Sequence, residues 1–272
     1  MAAEELELIT STANRRIVTL RKLEDRKERR QQGRFRVEGL QALHMALDAG
    51  ARPLEVFYCE ELFDGMEAAS LLKRFRQTGA SLVPVSKHVM ESLSDREAPQ
   101  GLVVTFARLE RSLESVVLPE RCLVLVLDRL QDPGNLGTLL RTADAVGAAL
   151  VVLLEPGVDP YEPRAVRSSM GSLFNLPLVL SSDVTGVLAQ LQARGLRLLG
   201  AHAHEGELWG KAVWGGSVAL VLGNEARGLS PDVAAGIQRW VHLPMVGKAD
   251  SLNVSIAGGV LMYAWLRENL EK

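Results

Sequence analysis

The hydrophobic pattern changes character along this chain. Up to residue 106 the apolar positions fall into short, half-polar segments. A helix is predicted from a cap at Ser11 or Asn14 to about residue 32, with Ile17, Leu20, Leu23 and Arg26 at helical spacing. Gly33 stops it. A short strand over 35–37 follows, then a helix over 40–49, a strand over 54–58, a helix over 66–77, a strand over 81–85, a short helix over 86–93 and a strand over 101–106. This alternation predicts a small α/β domain over residues 1–106. Residues 107–120 carry mixed charge and few apolar side chains, and read as a linker.

From 121 to 272 the pattern is different. Leu123-Val124-Leu125-Val126-Leu127 is a continuous apolar run, the mark of a strand buried on both faces. Further strands are predicted over 150–154, 176–180, 196–201, 218–222 and 240–243. Helices over 136–146, 163–170, 184–193 and 252–268 alternate with them. Pro163 sits at the first helical position, where its missing N–H costs nothing. The expectation is an α/β domain with a parallel sheet covered on both sides.

Composition narrows the class only slightly. The 272 residues are 47% hydrophobic and 24% charged, as in ordinary globular domains. No apolar run reaches the ~18 residues of a membrane span. The acidic start lacks the basic-then-apolar pattern of a signal peptide. Cys59 and Cys122 are far apart and read as reduced thiols, which fits a cytoplasmic protein. The net charge of −2 does not suggest a polyanion-binding protein, but its distribution does. Residues 14–36 hold ten Arg or Lys against three acids, an excess of seven. A basic helix of this kind is either a solvated face or an RNA-binding one.

Three polar, glycine-containing loops follow predicted strands: 131–141, 223–230 and 243–255. Ligands of parallel sheets bind outside the carboxyl ends of the strands. The loop from Gly223 to Ser230 has the two glycines of a phosphate loop at the right spacing, but Leu229 stands where the lysine is required, which excludes a nucleotide triphosphatase. No G-x-G-x-x-G occurs. His202 and His204 alternate on a predicted strand without a third ligand nearby, so no metal site is expected. Ala257, Gly258 and Gly259 leave room for a close neighbour along the last helix.

These loops resemble the three ordered motifs of the SpoU (TrmH-like) RNA ribose methyltransferases. The first is Asn135-Leu136-Gly137 with Arg141-Thr142-Ala143. The second is Leu222-Gly223-Asn224-Glu225 with Gly228-Leu229. The third is Leu243-Pro244-Met245 with Gly247 and Ser251-Leu252-Asn253-Val254-Ser255. Ile9-Thr10-Ser11, Asn14, the basic helix and Phe35-Arg36-Val37-Glu38-Gly39 resemble the substrate-binding extension of the ribosomal RNA branch.

The resemblance implies a SPOUT fold with a C-terminal trefoil knot and an N-terminal α/β RNA-binding domain. It also implies S-adenosylmethionine as cofactor without a metal, a homodimer, and ribose 2′-O-methylation, with ribosomal RNA the favoured substrate. Transfer RNA, or a non-catalytic ribosome-assembly role on the same fold, are the alternatives. By motif, Leu222, Gly223, Leu243, Met245 and Leu252 are the expected cofactor contacts. Arg141, Asn135, Glu225, Ser251 and Asn253 are the expected catalytic group. Arg141 is assigned to the 2′-hydroxyl. A guanidinium is almost never neutral, so charge stabilisation is the role chemistry favours. Asn135 and Asn253 can orient a hydroxyl or fix loop backbone, Glu225 can organise a loop, and Ser251 can serve catalysis or start a helix. Arg15, Arg16, Arg21, Lys22, Arg29, Arg30 and Arg34 are the expected RNA contacts.

Overall fold

The computed structural model describes residues 7–210 and 213–270, so the first six residues of the acidic start lie outside it. Two compact units result. One is the chain up to Arg108 together with Asp159–Asn175; the other is Leu109–Val158 with the chain from Leu176 onward.

In the first unit, Asn14 accepts from the Arg16 N–H and starts α1 (Arg15–Arg21). The single helix expected to residue 32 is broken: Lys22–Glu24 form a 3-10 turn. Asp25 then accepts from the Lys27 and Glu28 N–H groups and starts α2 (Arg26–Gln32). An extended aspartate that satisfies two orphan donors favours a new start over continuation. Ile17, Leu20 and Leu23 are fully buried, as their spacing requires. Gly33 ends α2 at φ +64°, a conformation suited to glycine.

There follow β1 (Arg34–Glu38), α3 (Leu40–Asp48), β2 (Pro53–Tyr58), α4 (Glu67–Arg76), β3 (Ser81–Pro84), α5 (Lys87–Leu93) and β4 (Leu102–Ala107). The sheet order is β1-β4-β2-β3. Only β2 and β3 run parallel.

The second unit contains β5 (Leu123–Asp128), α6 (Pro133–Ala145) and β6 (Leu150–Leu154). The next helix in the chain, α7 (Pro163–Ser168), belongs to the first unit. The second unit resumes with β7 (Leu178–Ser181), α8 (Val184–Ala193), β8 (Arg197–Ala201), β9 (Glu207–Leu208), β10 (Val218–Leu222), α9 (Pro231–Gly236), β11 (Arg239–His242) and α10 (Val254–Asn269). All seven strands are parallel, in the order β7-β6-β5-β10-β8-β11-β9. The five residues of β6 and of β10 are all buried, as their unbroken apolar runs predict. From β5 the chain moves outward to β6 and β7, while β10 lies on the other side of β5. The loops after β5 and β10 therefore flank a reversal of strand order, where parallel sheets open a crevice.

Two further sequence expectations change in the first unit. Segment Asp159–Asn175, read from the sequence as part of the second domain, packs here. Phe35 lies 4.7 Å from Tyr161 between ring centroids, and Phe106 lies 4.9 Å from Phe174. Arg29, expected on the RNA-binding face, is only 2% exposed. Its Nε and Nη2 donate to Asp159 Oδ2 at 2.8 and 2.7 Å, and its Nη1 donates to the Leu23 and Glu24 carbonyls. A guanidinium so engaged has no donor fork left for phosphate. Arg34 is half-buried and paired with Glu55, which weakens its case as well. Arg15, Arg16, Arg21, Lys22 and Arg30 are exposed.

Removing one partner of a buried ion pair leaves the other charge uncompensated. Arg29→Ala should therefore cost about 3–5 kcal/mol of stability in chemical denaturation, and removing Asp159 together with it for apolar residues should recover much of the loss. Arg15→Ala, on the exposed face, should stay within about 0.5 kcal/mol of the parent.

Candidate active site

The second unit opens a cavity of about 490 Å³ at the carboxyl ends of β8, β10 and β11. Its wall includes Leu222, Gly223, Leu243, Met245, Ser251 and Leu252. All five expected cofactor residues thus line one space, together with Ser251. Leu243 is buried whereas Leu252 is 41% exposed. Ser251 precedes α10 and does not start it; the cap is Asn253.

Gly223, which lines the cavity, also shapes its own loop. A Cβ there would collide with the carbonyl group of Gly228 and the N–H of Leu229. Its lack of a side chain lets the loop fold on itself. Asn224 and Gly228 exchange two backbone hydrogen bonds of 3.0 and 2.9 Å, with Gly228 at φ +67°. Gly258 of the last helix likewise serves packing. A Cβ on Gly258 would stand 2.6 Å from Leu139 of α6 and from Leu222 of β10.

The loop after β5, the loop after β10 and the start of α10 are joined by polar side chains. Glu225 accepts from the backbone N–H groups of Gln131 and Asp132 and from Asn135 Nδ2, at 3.1–3.2 Å. Asn135 Oδ1 in turn accepts from Asn253 Nδ2 at 2.9 Å. Asn253 Oδ1 accepts from Ser255 Oγ and from the N–H groups of Ser255 and Ile256, capping α10. Asn135 is the third residue of α6, not its cap; Asp132 caps that helix. The two asparagines therefore fix backbone and each other.

Burial works to raise the Glu225 pKa. The hydrogen bonds from Asn135 and from the Asp132 and Gln131 N–H groups outweigh it and hold the carboxyl below its ordinary value. A carboxylate stabilised as an anion by three donors is a loop organiser and a weak base.

Arg141 is exposed on α6, does not line the cavity, and has no hydrogen-bond or ion-pair partner among the described residues. Glu225 does not pair with Arg141 among the described residues; Asn135 and two backbone N–H groups hold its carboxylate. Among the described residues no cluster of three metal-ligating side chains occurs.

Several residues of the site escape sequence reading. Asp128, 1% exposed at the end of β5, accepts from the Ser230 N–H at 2.5 Å. A carboxylate ending an apolar strand is the signal that points to it. Asn224 Nδ2 donates to the Arg129 carbonyl at 2.9 Å, and Arg129 has a positive φ of 54°. His202 lines the cavity from a turn after β8. It does not alternate with His204 on a strand: its Nδ1 accepts from the backbone N–H groups of His204 and Glu205.

Comparison with known proteins meets this geometry at the same loops. The model of the SpoU rRNA Methylase family matches residues 122–263, just over half the chain. The chain belongs to the SpoU rRNA methylase family. Residues 14–104 match an MRM3-like substrate binding domain. The family member is 29% identical over 255 residues to the 23S rRNA (guanosine(2553)-2′-O)-methyltransferase RlmP of Bacillus subtilis, covering 94% of this chain and 97% of that one. It is 29% identical over 253 residues to the 23S rRNA (uridine(2479)-2′-O)-methyltransferase of Streptomyces viridochromogenes, covering 91% and 88%. Among solved structures it is similar to an AdoMet-bound rRNA methyltransferase from Sinorhizobium meliloti, with a TM-score of 0.86, 29% identity, and coverage of 97% and 98%.

Because the folded pKa of Glu225 is depressed, its contribution to stability is complete above the unfolded glutamate value. That contribution is lost as pH falls through the folded value. The difference in unfolding midpoint between the parent and Glu225→Gln should be constant near neutral pH and shrink in acid. Near neutral pH Glu225→Ala should cost about 0.5–1.5 kcal/mol per hydrogen bond removed, discounted for exposure.

Proposed function

We propose that this SpoU family member transfers a methyl group from S-adenosylmethionine to a ribose 2′-hydroxyl of ribosomal RNA. The observation that carries this reading is that the second and third motif loops wall one cavity while the Glu225–Asn135–Asn253 chain ties the first motif loop to both. The wall fits the cofactor. Leu222, Leu243 and Leu252 offer apolar surface for a purine, and backbone groups of two loops are available for its polar edge. A cavity near 490 Å³ lies within the usual range for ligand sites of roughly 300–1,000 Å³.

When bound, S-adenosylmethionine supplies the methyl on a sulfonium and leaves as a thioether, so no metal is needed. The chain's own part is to hold the loops and position the hydroxyl in line, where orientation supplies much of the acceleration. Arg141, whose donors are uncommitted among the described residues, pairs with an RNA phosphate and stabilises the developing 2′-oxyanion. The proton leaves toward that phosphate. Glu225 keeps Asn135 and the loop backbone in place and is not the base. Exposed Arg15 and Arg16 grip phosphates without reading bases, and RNA shape selects the target.

The family's C-terminal threading, a cytoplasmic setting and a homodimer are part of the same proposal. The dimer has a candidate surface in the exposed side chains of Ile256, Val260 and Tyr263 on α10. The last two also border a hollow of about 510 Å³ with Trp209 and Arg267. Tyr263→Glu should shift a dimer toward monomer in light scattering; a parent that is already monomeric contradicts this part.

Labelled methyl transfer to purified ribosomal and transfer RNA tests the function. Ribosomal RNA should be labelled preferentially, with Arg141→Ala reduced at least ~100-fold, as for loss of a key oxyanion stabiliser. Arg141→Lys should restore little of it, because a point charge does not replace the fork. Arg15→Ala with Arg16→Ala should weaken RNA binding and lower the salt slope by about one for each phosphate no longer held. Preferential transfer RNA labelling would favour the alternative substrate. Absence of cofactor binding would favour a non-catalytic role.

A further inference from the structure

The motif residues do not account for His202. This exposed side chain sits in the turn between β8 and β9 and lines the 490 Å³ cavity. Nδ1 accepts the His204 N–H at 3.2 Å and the Glu205 N–H at 2.9 Å. The ring meets Trp240, another wall residue, edge-on at 5.8 Å between centroids and an interplanar angle of 86°. Two donors converging on Nδ1 require its lone pair, so in the neutral ring the proton sits on Nε2. Nε2 has no partner among the described residues. The turn thus fixes both the tautomer and the orientation of a hydrogen-bond donor at the cavity wall.

We propose that His202 is a cofactor-contact residue, donating from Nε2 to an acceptor on S-adenosylmethionine. This rests on the cofactor reading above and extends it to a residue outside the three motifs. The competing possibility is that His202 only ties its own turn through Nδ1.

Two variants separate the alternatives. In His202→Asn the amide oxygen falls near the Nδ1 position and keeps the turn, but nothing replaces Nε2. His202→Ala loses both. Calorimetric titration with S-adenosylhomocysteine, which keeps the nucleoside and amino-acid acceptors, should show a Kd raised between about two- and tenfold in both variants, the range of one ordinary hydrogen bond. The unfolding midpoint without ligand should stay at the parent value in His202→Asn and fall in His202→Ala. Parent-like affinity in His202→Asn with weakened binding in His202→Ala would assign His202 to the turn alone and overturn the proposal. Parent-like affinity in both would also overturn it. If the parent itself binds neither S-adenosylhomocysteine nor S-adenosylmethionine, the cofactor reading fails and the proposal falls with it.

Discussion

The carboxylate of Glu225 is the group on which the site depends. It belongs to the loop after β10, yet it accepts from the Gln131 and Asp132 N–H groups of the loop after β5 and from Asn135 in the first turn of α6. Through Asn135 the same tie reaches Asn253 and so the start of α10. Positions as far apart in the chain as Gln131 and Asn253 are thereby set in one geometry. Asp128 and Asn224 add two further ties between the first two loops. Such a network is useful to catalysis because its donors and acceptors are already satisfied before any ligand arrives, leaving less to reorganise.

The sheet makes this possible. Parallel strands bring all the loops that follow them to one end, and the cavity opens there over β8, β10 and β11. The glycines serve closeness within the protein. Gly223 lets its loop turn back on Gly228, and Gly258 lets α10 approach Leu139 and Leu222. Leucines, backbone groups and a few polar side chains line the cavity itself.

Much of this is legible in the sequence, for a physical reason. Strands buried on both faces are written as unbroken apolar runs, so β5, β6 and β10 can be placed within a residue or so. The polar loops after them stand out by contrast. What cannot be read depends on partners distant in the chain. Arg29 looks like its basic neighbours on α2, and only the buried Asp159, 130 residues away, makes it a core residue. The attachment of Asp159–Asn175 to the first unit has the same origin. The break after Arg21 turns on which of several acids in a basic helix adopts a cap. The pattern puts His202 and His204 on one strand, but β8 ends at Ala201, and the pair falls in a turn instead.

Where the methyl group goes tests the central account most directly. Ribosomal RNA labelled by the enzyme from methyl-labelled S-adenosylmethionine would be digested with alkali, which cannot cleave beside a methylated 2′-oxygen. The account predicts label in alkali-resistant dinucleotides. Label in mononucleotides would mean methylation of a base, and would contradict a site built around a ribose hydroxyl.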